Sequence, residues 1–132
     1  MKKFINPRKS NFYNSFYISL LFCLENFNSI SIAVETLDNI DGIISEYFNS
    51  INPSIIPNLK RNKVVLLEYN NQTKNLYLIS KKSFNSYGSI VLASFVTINF
   101  LEKLNKNYKN IMYIPWTDDE ITYAQNNGFS SL

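Results

Sequence analysis

Histidine is missing from all 132 residues, and cysteine occurs once, at Cys23. The first absence removes the commonest general base near neutral pH, the commonest zinc ligand and every Ser–His or Cys–His nucleophile pair. The second excludes an internal disulfide, a CxxC pair and a cysteine-based metal site. Glycine is almost as scarce: Gly42, Gly88 and Gly128 stand far apart, so neither GxGxxG nor GxxxxGK[ST] can be written. Arginine occurs only at Arg8 and Arg61, which leaves few of the planar forks that read guanine edges. An enzyme built on this chain would depend on carboxylates, lysine, tyrosine or a bound cofactor. No motif implies a cofactor or a metal, and a non-catalytic role is favoured.

What is present suffices for a core. A hydrophobic share of 45% with only 17% charged residues belongs to a folded chain rather than a disordered one. The length fits one domain, taken as 1–132. The abundance of Asn, Lys, Ile, Tyr and Phe is the bias that AT-rich coding produces.

The beginning of the chain supports two readings. Residues 1–10 are basic and read as a flexible tail. Phe16 to Leu24 is apolar, and Ser31 to Ala33 offers small residues, so 1–33 could act as an export signal. Pro7, several Asn residues and Glu25 interrupt that pattern, and nine residues are too few to span a bilayer. An amphipathic helix over about 11–28, capped by Ser10, and a cytoplasmic location are favoured over export.

Further along, Ser29 to Glu35 alternates as a short strand. A second helix is expected from Asp38, with Ile40, Ile43, Ile44, Tyr47 and Phe48 at spacings of three and four. Pro53 and Pro57 should end it, because two prolines four apart do not belong inside a helix. The runs KVVLLEY and NLYLISK form a hairpin across NNQTK. SYGS, Ser86 to Ser89, reads as a turn before a strand at IVLAS. FVTINFLEKLNKN then reads as a helix, with Phe95, Ile98 and Leu101 on one side. NIMYIPW is an apolar strand, and DDEITYAQNNG a last helix stopped by Gly128. The last strand–helix–strand series has the form of a crossover. The expected architecture is α/β (or α+β): a small mixed sheet containing one hairpin, with three to four helices.

Three groups of residues could carry function. Asp118, Asp119 and Glu120 follow a strand end, where open α/β sheets place ligands. Consecutive side chains on a helix diverge by about 100°, so these acids do not converge on one ion. Thr117 and Glu120 instead match a capping box, with Trp116 and Ile121 spaced as a hydrophobic staple. A ligand site at the strand ends would use Ser94, Trp116, Asp118 and Asp119. The third group is basic: antiparallel pairing brings Lys60, Arg61 and Lys63 beside Lys81 and Lys82. Such a patch could meet an acidic protein, phosphates or an anionic membrane, or guard a sticky strand against aggregation.

Charge is segregated along the chain. Residues 25–59 carry five acids and no base, while residues 60–109 carry nine bases and two acids. That favours electrostatic docking or self-association. The expected function is a small interaction module, resembling adaptors, inhibitors or immunity proteins in size alone. It would bind another protein through Trp116 and the Lys60, Arg61, Lys63, Lys81 and Lys82 patch. The alternatives are a small-ligand or carboxylate-dependent enzyme site near Trp116, and nucleic-acid binding through the patch.

Overall fold

The computed structural model describes residues 1–85 and 87–132. Among them are seven strands and five α-helices: β1 (Lys2–Phe4), α1 (Phe12–Asn26), β2 (Ser29–Val34), α2 (Ile43–Ile51), α3 (Ile55–Asn62), β3 (Val64–Tyr69), β4 (Gln72–Ser80), β5 (Ile90–Ser94), α4 (Ile98–Asn107), β6 (Ile111–Ile114), α5 (Asp118–Asn126) and β7 (Ser130–Ser131). They build one mixed sheet in the order β3-β4-β2-β5-β6-β1-β7. Every pairing is parallel except that of the β3–β4 hairpin. The α/β class and the single hairpin agree with the sequence reading, whereas the sheet is larger and the helices more numerous than expected.

Strand alternation sorts the core into two layers. Ile30, Ile32 and Val34 of β2, Leu92 of β5 and Met112 of β6 face α1, α2 and α3. Ala33, Val91 and Tyr113 face the opposite way, towards α4 and α5. Ser15, Ser19 and Cys23 recur every four residues along α1 and are all buried. Small side chains at that spacing let a helix lie close to what it covers.

Several expectations change. Lys2–Phe4 is not a loose tail: β1 lies between β6 and β7, with Phe4 buried and paired with Tyr113. The stretch 1–33 supplies β1, α1 and most of β2. Asn11, not Ser10, caps α1, its side chain accepting from the Asn14 N–H at 2.7 Å. Asp38 sits in a 3-10 turn, Leu37–Ile40, and α2 starts only after Gly42. Pro57 lies inside α3 rather than ending a helix; in the first turn the missing N–H has no intrahelical acceptor to lose. The hairpin closes on two residues, Asn70 and Asn71, with φ of 49° and 63°. Asn tolerates that left-handed region, so the turn is tighter than the polar run suggested. Ser86 of the SYGS turn lies outside the described residues.

The connection from β4 to the parallel strand β5 contains no helix among its described residues. It passes Ser31 on the middle of β2. The Tyr108 hydroxyl lies 2.6 Å from the Tyr87 carbonyl, 3.1 Å from the Asn85 carbonyl and 3.0 Å from Ser31 Oγ. Ser31 Oγ also donates to the Tyr87 carbonyl. These bonds fasten the connection where a crossover helix would otherwise cover the sheet.

Candidate functional site

The chain leaves β2 towards α2 on one face of the sheet and leaves β5 towards α4 on the other. Opposite departures from neighbouring parallel strands open a crevice beyond their carboxyl ends. A cavity of about 410 Å³ occupies that place. Its walls are Asn39, Asp41 and Gly42 from the connection after β2, and Ser94, Phe95 and Trp116 from the ends of β5 and β6.

Three aromatic rings shape the cleft. Trp116, 48% exposed, stacks on Phe12, with centroids 4.3 Å apart and planes at 13°. Phe95 meets both rings edge-on, at 5.3 Å from Trp116 and 5.6 Å from Phe12. Strand alternation would send Phe95 to the α4 face after Ala93. Instead its φ is 59°, and it packs with the α1-side cluster. A bulky residue held in the left-handed region is strained, and such strain collects at functional sites. Here it turns an aromatic side chain into the crevice rather than continuing α4, which starts at Ile98.

The polar groups are mostly occupied. Ser94 is buried and its hydroxyl donates to the Leu92 carbonyl at 3.3 Å. Asp41 accepts from Lys60 Nζ at 2.6 Å. Glu120 closes the capping box and holds the Trp116 N–H at 2.7 Å and the Thr117 N–H at 3.2 Å. The indole's backbone is therefore clamped from the first turn of α5. Of the two residues spaced as a staple, Ile121 is buried with the α4-side cluster, while Trp116 packs against Phe12 and Phe95.

Of the four strand-end residues, Ser94 and Trp116 line the cleft, and Asp118 and Asp119 do not. Asp118 pairs with Arg8 at 3.0 Å in the open, and Asp119 is exposed. Among the described residues no group of three acids, thiols or imidazoles could hold a metal ion. Phe12, Phe95, Asn39 and Asp41 were missed. Phe12 and Phe95 read as ordinary helix core, and Asp41 as a first-turn acid. Nothing in the local pattern separates those roles.

Four of the basic residues border neighbouring hollows, with acids among them. Lys60 and Lys63 adjoin a hollow of about 160 Å³ that also touches Leu37 and Asp38. Lys81 and Lys82 line another, of about 400 Å³, that shares the same two residues. Lys60 is paired with Asp41, and Lys81 lies 3.8 Å from Glu35. Glu35 has a further duty, accepting from the Thr97 N–H and hydroxyl, both at 3.0 Å, at the start of α4. Arg61 and Lys82 have no carboxylate within 4.0 Å among the described residues. The five-charge patch is therefore a mixed rim, since β2 lies beside β4 and delivers its acidic connection into the middle.

No helix among the described residues is long and apolar enough to cross a membrane. Comparison with family models, with curated proteins and with solved structures finds no match.

Proposed function

We propose that this chain is a non-catalytic interaction module that binds another protein at the carboxyl rim of its sheet. The Trp116–Phe95–Phe12 cleft takes an apolar side chain of that partner. The single observation behind this is a half-exposed tryptophan, braced from below and from the side, at the mouth of a crevice between parallel strands. Rigid aromatic anchors beside a concavity are what dominant interface residues look like. The mixed rim of Lys60, Lys81 and Lys82 with Glu35 and Asp41 adds charge able to orient a partner without binding phosphate at random.

Occupied polar groups in the cleft support binding over chemistry. Asp41 is committed to Lys60, and the Ser94 hydroxyl to the Leu92 carbonyl. A second reading is favoured by one observation, the cavity volume of about 410 Å³, which falls in the range of small-molecule sites. In that case the same rings hold a planar ligand.

The test compares complexes recovered from the native cell with wild-type protein, Trp116→Ala and the charge-reversed Lys81→Glu/Lys82→Glu variant. A specific partner should be lost or weakened in both variants. A partner held at undiminished affinity by both would remove this surface from the function. A low-mass adduct seen in native mass spectra, and lost in Trp116→Ala, would decide for the second reading.

A further inference from the structure

A different part of the molecule, the β3 edge of the sheet, carries an inference independent of the cleft. β3 is six residues long, while the strand at the opposite edge, β7, has two. The hairpin turn is two residues, so Tyr69 and Gln72 form the closing hydrogen-bonded pair. The Leu78 N–H donating to the Lys63 carbonyl at 3.0 Å agrees in phase at the other end. Lys63, Val65, Leu67 and Tyr69 therefore aim their backbone groups at β4. Val64, Leu66 and Glu68 aim theirs outward, where no described strand pairs with them.

Proteins guard such an edge with proline, bulges or inward charges. Between Val64 and Tyr69 there is neither proline nor lysine, and Glu68 is the one charge. Leu66 is 67% exposed and Val64 37%. Both lie on the face that carries Tyr77 opposite Val64 and Asn75 opposite Leu66.

We propose that this edge pairs with the same edge of a second copy, antiparallel about a two-fold axis at Leu66. The register follows from two requirements. Opposed residues must share a face, and outward backbone groups must meet outward groups. Axes at Val64, Val65, Leu66, Leu67 and Glu68 satisfy both. An axis at Glu68 sets two carboxylates opposite each other, which destabilises. An axis at Val64 or Val65 leaves Glu68 unpaired, and one at Leu67 leaves Val64 unpaired. The axis at Leu66 uses all three outward residues, with Leu66 opposite the partner's Leu66 and Val64 opposite the partner's Glu68. It also brings the basic end of one strand, with Arg61 and Lys63, to the Glu68 end of the other. This complementarity favours a second copy over an unrelated strand.

The test exploits the buried Cys23, whose thiol is fully shielded and silent in surface cross-linking. In a hydrogen-bonded antiparallel pair the Cα atoms lie about 5.5 Å apart, within the span a disulfide bridges. Leu66→Cys should therefore yield a covalent dimer on mild oxidation. Val64→Cys alone should not, because its two copies stand roughly 14 Å apart. The double variant Val64→Cys/Glu68→Cys should cross-link. By light scattering, the full chain should show a monomer–dimer equilibrium that Leu66→Lys weakens by about tenfold or more, with the circular dichroism spectrum unchanged. If Leu66→Lys loses its fold, the cysteine pattern decides alone. A wild-type chain that stays monomeric at every attainable concentration overturns the proposal. So does a dimer indifferent to Leu66→Lys, or cross-linking of Val64→Cys as ready as that of Leu66→Cys.

Discussion

Trp116 lies flat on Phe12, with 4.3 Å between ring centroids, so the first residue of α1 braces a residue two positions past the end of β6. The stack joins the start of α1 to the strand-end segment that lines the cleft. Removing Phe12 should therefore be felt at Trp116. Stacked aromatic pairs contribute about 0.5–1.5 kcal/mol beyond the area they bury. Phe12→Ala should lose at least that much in urea unfolding and shift the emission of the only tryptophan to the red. An unshifted spectrum would mean that the rings are not stacked in solution.

Gly88 crosses the middle of β2 at close range. Its φ is +89°, and a Cβ there would stand 2.6 Å from Ser31 Oγ and 2.9 Å from the Ser31 backbone N. Gly88→Ala thus meets both a backbone conformation costing of order 1–3 kcal/mol and a clash with main chain that has no room to move. Gly42 provides the control, since its φ is +100° but nothing lies within 4 Å of the added atom. Gly88→Ala should be clearly more destabilising than Gly42→Ala by thermal or urea unfolding. Adding Ser31→Ala should not rescue it, because the backbone N remains. Equal losses at the two glycines, or rescue by Ser31→Ala, would refute the close crossing.

Features written in adjacent residues were legible from the chain alone. The Thr117–Glu120 capping box, the β-rich runs of the hairpin and the β5–α4–β6 crossover each depend on local spacing. Features set by distant partners were not. β1 is three residues long and two of them are lysines, and only its partners β6 and β7 make Lys2–Phe4 a strand. Ser94 and Trp116 were readable as strand-end residues. Phe95 was not, because no neighbouring residue announces a left-handed phenylalanine. Hairpin geometry drew Lys60, Arg61, Lys63, Lys81 and Lys82 towards one end, and Lys60, Lys63, Lys81 and Lys82 do border hollows that share Leu37 and Asp38. It could not foresee that β2 would pair alongside β4 and set Glu35, Asp38 and Asp41 among them.

Buried phenols give the fold a dependence on alkaline pH. The Tyr113 ring is fully buried and its hydroxyl donates to the Val96 carbonyl at 2.9 Å. Burial first, then the negative charges of Glu120 and Glu35, hold this phenol protonated far above its ordinary range near pH 10. Burial raises Tyr47 and Tyr108 in the same direction. A raised value in the folded state means that the native protein keeps a proton the unfolded chain releases. The stability from that retention is complete below about pH 10 and is lost progressively as the pH rises above it. Each such tyrosine steepens the loss by up to about 1.4 kcal/mol per pH unit. Tyr113→Phe should cost about 1 kcal/mol at neutral pH through the missing hydrogen bond, yet lose less stability than wild type on going to pH 11. Urea midpoints measured from neutral to alkaline pH would show the two curves converging; parallel curves would mean that Tyr113 ionises as freely in the native protein as in the unfolded chain.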